Sequence, residues 1–322
     1  MGSGTWSTDV YNAGAHYRAA HGISAFAYSD GGARTVHEDL DPYGVTVRES
    51  RDSDEHPESL ALAVLFDVTG SMRAVPRTLQ AKLPDLLGLL MRKGYVEHPQ
   101  ILFGAVGDAT CDRAPLQIGQ FESDNRMDDD LGKILLEGGG GGQMTESYEL
   151  AMYFMARHTA MDCLDKRGRR GHLFLIGDEL AYPKVKAREV RRFIGGEPGE
   201  DIPLEQIVAE LKRRFEVYFI IPAGASHSRD GRLLDFWRGH LGQNVIHLDD
   251  LDAVCETIAL TVGLAEDAVD LDEGLEHLRE FGSGAGDSVS RALAPLSASR
   301  GAVAVAPAPT GLDPADTEVT RL

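Results

Sequence analysis

The chain turns abruptly apolar at Leu60. Leu60–Asp67, LALAVLFD, is an unbroken hydrophobic run closed by an acid, the pattern of a central strand covered on both faces. Over residues 76–93, Leu79, Leu83, Leu86, Leu87, Leu90 and Met91 recur at helical spacing and Gly94 supplies a stop. Residues 101–107 predict a second strand and 115–121 a third, joined closely enough for a hairpin. Helices are expected over 126–136 and 145–161, the latter apolar on most sides, with five consecutive glycines at 138–142 between them. Strands at 172–178, 216–222 and 244–248 then alternate with helices at 185–193, 204–215, 233–241 and 252–264, and Leu271–Glu280 reads as one more helix.

Apolar strands alternating with helices predict an α/β fold, doubly wound, with a mostly parallel central sheet and helices on both faces. The boundaries follow the pattern. Residues 1–58 are polar and weakly periodic, an arm with room for a short strand at 45–47. Residues 59–265 are the folded core, 266–281 a helical extension, and 282–322, rich in Gly, Ser, Ala and Pro, a disordered tail that can be removed without loss of stability.

Charge narrows the functions. The formal net charge is -19 and the pI about 4.9, which disfavours nucleic acid, whose phosphates need Lys and Arg, and a polybasic membrane surface. Three cysteines without a CxxC pair suit neither a zinc ribbon nor a disulfide framework, and point to reduced thiols in a cytoplasmic protein. The N-terminus shows no apolar signal region, Gly4 and Thr5 fit a myristoylation pattern poorly, and no apolar run reaches a membrane span.

Candidate chemistry sits where the first central strand ends, at Asp67-Val68-Thr69-Gly70-Ser71-Met72. An acid and two hydroxyls at i, i+2 and i+4 in a turn present only oxygen, which suits a hard cation such as Mg²⁺ or Mn²⁺. Other chemistries lack a part. A phosphatase with a nucleophilic Asp would need an acid where Thr69 stands; no Gly-Lys-Ser/Thr follows the glycine run; and Gly70-Ser71-Met72 is no nucleophile elbow. The histidines show no HExxH spacing and read singly as surface or cap residues. The basic run 166–170 precedes its strand and belongs at the far edge of the sheet, as a solvated loop or a second contact surface.

Asp67-x-Thr69-x-Ser71 resembles the DxSxS motif of the metal-ion-dependent adhesion site in von Willebrand factor A domains, and DVTGSM looks like bacterial intracellular members. The resemblance covers about residues 60–265. It implies that later loops supply a Thr and an Asp. Asp178 in LFLIGDE matches the Asp. Thr145 has the family's residue type, whereas Glu146 has its position, five residues before Ala151, so the metal set is Asp67, Thr69, Ser71 and Asp178 with Thr145 or Glu146. Thr145 is favoured as ligand, with Glu146 at the helix N-terminus, where its charge is stabilised. The resemblance further implies a protein–protein interaction module, an adaptor or scaffold rather than an enzyme, whose cation receives a partner's Asp or Glu; such partners include MoxR-type AAA ATPases and stress-response modules. The alternative is a metal-assisted hydrolase or phosphatase drawing on Asp108, Asp112, Glu146 or Glu179.

Overall fold

The structure, a computed structural model, describes residues 4–72, 74–138 and 144–305; the side chains of Ser71 and of residues 301–305 lie outside the description. Six strands form the central sheet: β1 Leu60–Asp67, β2 Pro99–Val106, β3 Leu116–Ile118, β4 Gly171–Ile176, β5 Phe215–Pro222 and β6 Val245–Leu248. Their order is β6-β5-β4-β1-β2-β3, parallel throughout except for β3, which returns antiparallel along β2. This is the α/β, doubly wound arrangement that the apolar runs predict. Every residue of β1, β2 and β4 is buried, so helices cover both faces. Strand order reverses at β1: the chain builds outward through β2 and β3, then returns to place β4 on the other side. Phe66 pairs with Ile176 and Asp67 with Val106, so the turns after β1, β2 and β4 lie together at one edge, where sheets of this kind bind ligands.

The helix expected over 76–93 is instead broken. Ala74–Ala81 stops, Leu83–Leu87 restarts, and Gly88–Arg92 closes as a wider turn. Pro84 is the cause. It has no N–H for the carbonyl of Gln80 four residues back, and that carbonyl accepts instead from the Tyr11 hydroxyl at 2.7 Å. The bond joins the arm to the core and contributes about 1 kcal/mol.

The arm is accordingly more ordered than its composition suggests. Thr8–His21 is a helix capped by Ser7 and ended by Gly22 in the left-handed region, and Phe26 and Leu40 are fully buried. The short strand falls at Arg48–Ser50, not 45–47, and pairs in parallel with Thr159–Met161. That pairing also corrects the helix expected over 145–161. The helix spans only Tyr148–Arg157; Thr145–Glu146 before it pairs with Leu180–Ala181, and the residues after it turn into the strand beside the arm.

The basic run 166–170 lies at the amino end of β4, opposite the Asp67 edge, and the chain's own acids engage it. Lys166 and Arg167 pair with Asp52, Arg169 with Glu266 and Arg170 with Glu216. Hydrogen bonds from Arg167 first, then Ser59 and Lys166, hold the Asp52 carboxyl well below the usual carboxylate range. The run is therefore a largely exposed loop, as its charge predicts, of which Lys166 and Arg167 hold the arm through Asp52.

The tail needs the largest correction. Gly286–Val305 is a helix packed against Val254–Ala265, Leu271–Glu280 and β6. Val289, Leu293 and Leu296 are buried at i, i+4 and i+7, a stripe sufficient to fix a helix within small-residue sequence. Residues 306–322 lie outside the described residues. No helix among the described residues is long and apolar enough to cross a membrane. Cys163 and Cys255 are buried and Cys111 exposed, and none forms a disulfide.

Candidate metal centre

Asp67 ends β1 with its side chain fully buried. One carboxylate oxygen, Oδ1, accepts from the Thr69 N–H and the Thr69 hydroxyl, both at 2.6 Å. The other, Oδ2, is buried without a hydrogen-bond partner among the described residues. Gly70–Met72 continues as a single tight turn; the Ser71 side chain expected in the ligand set lies outside the description.

The same turn recurs at the end of β2. Asp108 accepts from the Thr110 N–H and hydroxyl at 2.8 Å, and the Tyr182 hydroxyl donates to the Asp108 carboxylate at 3.1 Å. Asp112 folds back to accept from the Asp108 N–H at 2.7 Å. From the far side of β1, Asp178 follows β4 and accepts from the His227 N–H at 2.9 Å.

Strand alternation separates Thr145 from Glu146. Glu146 is buried while Thr145 is half-exposed. Glu146 does not cap the following helix: Ser147 takes the cap position, and its hydroxyl accepts from the Ala109 N–H instead. Glu146 Oε2 and Glu179 Oε2 are both buried without hydrogen-bond partners among the described residues. Of the glycine run only Gly138 is among the described residues, and its N–H donates to the Val68 carbonyl at 3.2 Å.

These acids repel one another. Burial, then the charges of Asp178 and Asp112, push Asp67 up to about 7 against the Thr69 hydrogen bonds. Burial, Asp67 and Glu179 push Glu146 up to about 10, and burial, Asp67 and Asp178 push Glu179 up to about 8. Buried carboxylate oxygens lacking donors, among like charges, fit a divalent cation, which would satisfy the oxygens and offset the charge together. A pH dependence follows. A carboxyl raised in the folded state binds a proton that the unfolded chain releases near pH 4, so stability falls as pH rises from there through the folded values. Chelated protein is expected to melt roughly 5 °C or more lower at pH 9 than at pH 5, and millimolar Mg²⁺ to restore most of the loss at pH 9. Melting curves with EDTA and with Mg²⁺ check this; a loss at pH 9 that Mg²⁺ leaves untouched would count against the fit.

An aromatic wall backs the turn after β4. The Tyr148 ring meets Phe219 and Trp237 edge-on, with centroids 5.4 and 5.5 Å away. The Tyr148 hydroxyl lies against Gly177, and the Trp237 N–H donates to the Glu179 carbonyl at 3.0 Å. The two aromatic tips therefore grip the residues on either side of Asp178. His227, Tyr148, Tyr182 and Trp237 escaped sequence reasoning, since each reaches the site from a separate element. The Asp108 turn carried a signal, because Asp108-Ala109-Thr110 repeats the Asp-x-Thr of Asp67.

The sequence matches no family model and no curated protein. In three dimensions the chain is similar to the pilus adhesin SpaC from Lactobacillus rhamnosus GG in its open conformation, at 9% identity over 67% of this chain and 31% of that one, TM-score 0.45. It is similar also to proximal thread matrix protein 1 from the mussel byssus, at 12% identity over 70% and 47%, TM-score 0.40. A third similarity is to a von Willebrand factor type A protein from Catenulispora acidiphila, at 13% identity over 65% and 43%, TM-score 0.38. The chain thus spans less than half the length of each of these solved chains. At TM-scores below 0.5 these likenesses carry no argument about function, and the fold stands on its own sheet order and registers.

Proposed function

We propose that the chain is a metal-dependent protein–protein interaction module, in which a Mg²⁺ or Mn²⁺ ion at the Asp67 edge of the sheet receives an Asp or Glu from another protein. The observation that carries this reading is the buried Asp67 Oδ2, which has no donor among the described residues and lies at the switch point of the sheet. Asp67, Thr69, Ser71 and Asp178 would hold the ion, with Glu146 in the place the second loop supplies. Glu146 is favoured over Thr145 because it is the buried member of the pair and its carboxyl responds to the Asp67 charge. The ion supplies a positive centre with a replaceable water, and bond making is not part of the role. A carboxylate-rich ligand set weakens the pull on an outside acid, so the affinity of the partner rests also on the protein surface around the ion. An adaptor or scaffold working with a MoxR-type AAA ATPase or a stress-response module, in the cytoplasm, suits this chemistry.

The test is retention of the protein on immobilised peptides carrying Asp or Glu, in Mg²⁺ and in EDTA, beside Asp67→Ala. Retention in Mg²⁺ that is lost in EDTA and in the variant supports the module. Retention indifferent to EDTA, or equal in Asp67→Ala, contradicts it. Under the same conditions Glu146→Gln is expected to lose more Mg²⁺ affinity than Thr145→Ala; the reverse order would return the second-loop position to Thr145.

A further inference from the structure

Beside the all-oxygen set lies a group of different chemistry. The turns after β4 and β5 are neighbours, because Ile176 pairs with Ile220 and the Gly177 N–H donates to the Ile220 carbonyl at 3.0 Å. Asp178 and Glu179 come from the first turn and His227 from the second. One ligand atom from each of the three lies within 4.8 Å of the other two, and the nearest nitrogen–oxygen approach, His227 Nδ1 to Asp178 Oδ2, is 3.7 Å.

His227 Nδ1 and Glu179 Oε2 are shielded from solvent and have no hydrogen-bond partner among the described residues. The backbone around them is held: the His227 N–H donates to Asp178, the Ser228 carbonyl meets His247 Nε2 at 3.1 Å, and Trp237 fixes the Glu179 carbonyl. The imidazole remains about one-third exposed, which leaves an approach from solvent. Ligand atoms on one zinc-sized cation stand roughly 3–3.5 Å apart, so the group needs to close by up to about 1.5 Å, within reach of side-chain rotation.

We propose that Asp178, Glu179 and His227 form a mixed nitrogen–oxygen site for a first-row transition cation of the Zn²⁺ or Mn²⁺ class. Imidazole selects these ions over Mg²⁺, which takes oxygen and gives up water reluctantly. Two carboxylates and one neutral imidazole balance a divalent charge, and the open side keeps a coordination position for water or an incoming ligand. The site shares Asp178 with the interaction module proposed above and rests on that reading through this residue alone. Occupied, it would tie the turn after β5 to the Asp67 edge and make the module responsive to zinc or manganese.

The experiment is calorimetric titration of the full chain with Zn²⁺, Mn²⁺ and Mg²⁺ separately, for the parent, His227→Ala and Asp67→Ala, with circular dichroism to establish that each is folded. The parent is expected to bind Zn²⁺ at least tenfold more tightly than Mg²⁺. His227→Ala should lose that margin while keeping its Mg²⁺ affinity, and Asp67→Ala should lose Mg²⁺ while keeping a Zn²⁺ site. Zn²⁺ affinity unchanged in His227→Ala overturns the proposal, whereas Mg²⁺ affinity unchanged in Asp67→Ala overturns only the reading of the neighbouring site. A readout independent of His227→Ala folding is the visible spectrum of the Co²⁺-loaded parent. Intense four-coordinate bands that Glu179→Gln diminishes support the site, and a spectrum of fully hydrated Co²⁺ refutes it.

Discussion

Truncation after Phe281 is expected to lower stability by roughly 4–6 kcal/mol, a fall in melting temperature of about 10 °C or more. The cut removes Gly286–Val305 and with it the burial of Val289, Leu293 and Leu296. Each such side chain contributes about 1.5–3 kcal/mol when fully buried, an upper figure because the unfolded chain already covers part of its apolar surface. The cut also removes Ser283, whose hydroxyl donates at 2.8 Å to the buried Glu256, leaving that carboxylate with Lys82 as its remaining partner among the described residues. Arg300, which donates to the Tyr218 hydroxyl at 3.1 Å, goes as well. Thermal melting of the truncated and parent chains decides the matter. A shift of a degree or two would mean that this helix contributes little to the fold.

Gly177→Ala is expected to cost about 3 kcal/mol and to displace Asp178. A Cβ at this position would stand 1.8 Å from the Tyr148 hydroxyl oxygen and 2.7 Å from Cζ of the same ring. The ring cannot swing aside, because Phe219 and Trp237 pack against it and Tyr148 is wholly buried. The strain is therefore relieved by moving the turn that carries Asp178. The same substitution should weaken Mg²⁺ binding well beyond the loss of stability alone. Tyr148→Phe in the Gly177→Ala background tests the cause: by removing the clashing oxygen it should recover part of both losses. No recovery in the double variant would place the damage elsewhere in the turn.

What the sequence disclosed and what it hid divide along physical lines. Leu60–Asp67 was legible to the residue because a strand buried on both faces must be apolar throughout, and its terminal acid stands out against that run. The strand before Asp178 was legible for the same reason, although it ends at Ile176, two residues short of the acid. The helix Gly286–Val305 was hidden because its stripe of three large residues is diluted by Ala, Ser and Gly, so composition spoke for disorder while spacing spoke for a helix. Thr159–Met161 was absorbed into a helix because its backbone partner, Arg48–Ser50, lies more than a hundred residues earlier. Glu146 shows the limit most clearly. Residue type favoured Thr145, whereas the two-residue pairing with Leu180–Ala181 buries Glu146 and leaves Thr145 half-exposed, a difference with no trace in local sequence.

The claim on which the account turns is that the Asp67 edge holds a divalent cation. Titrating Mg²⁺ into the chelator-treated full chain by calorimetry, beside Asp67→Ala under identical conditions, tests it most directly. The account predicts saturable binding by the parent and none by the variant, because Asp67 presents a buried oxygen that has no other partner among the described residues. Equal binding by the two chains, or no binding by the parent, would contradict it.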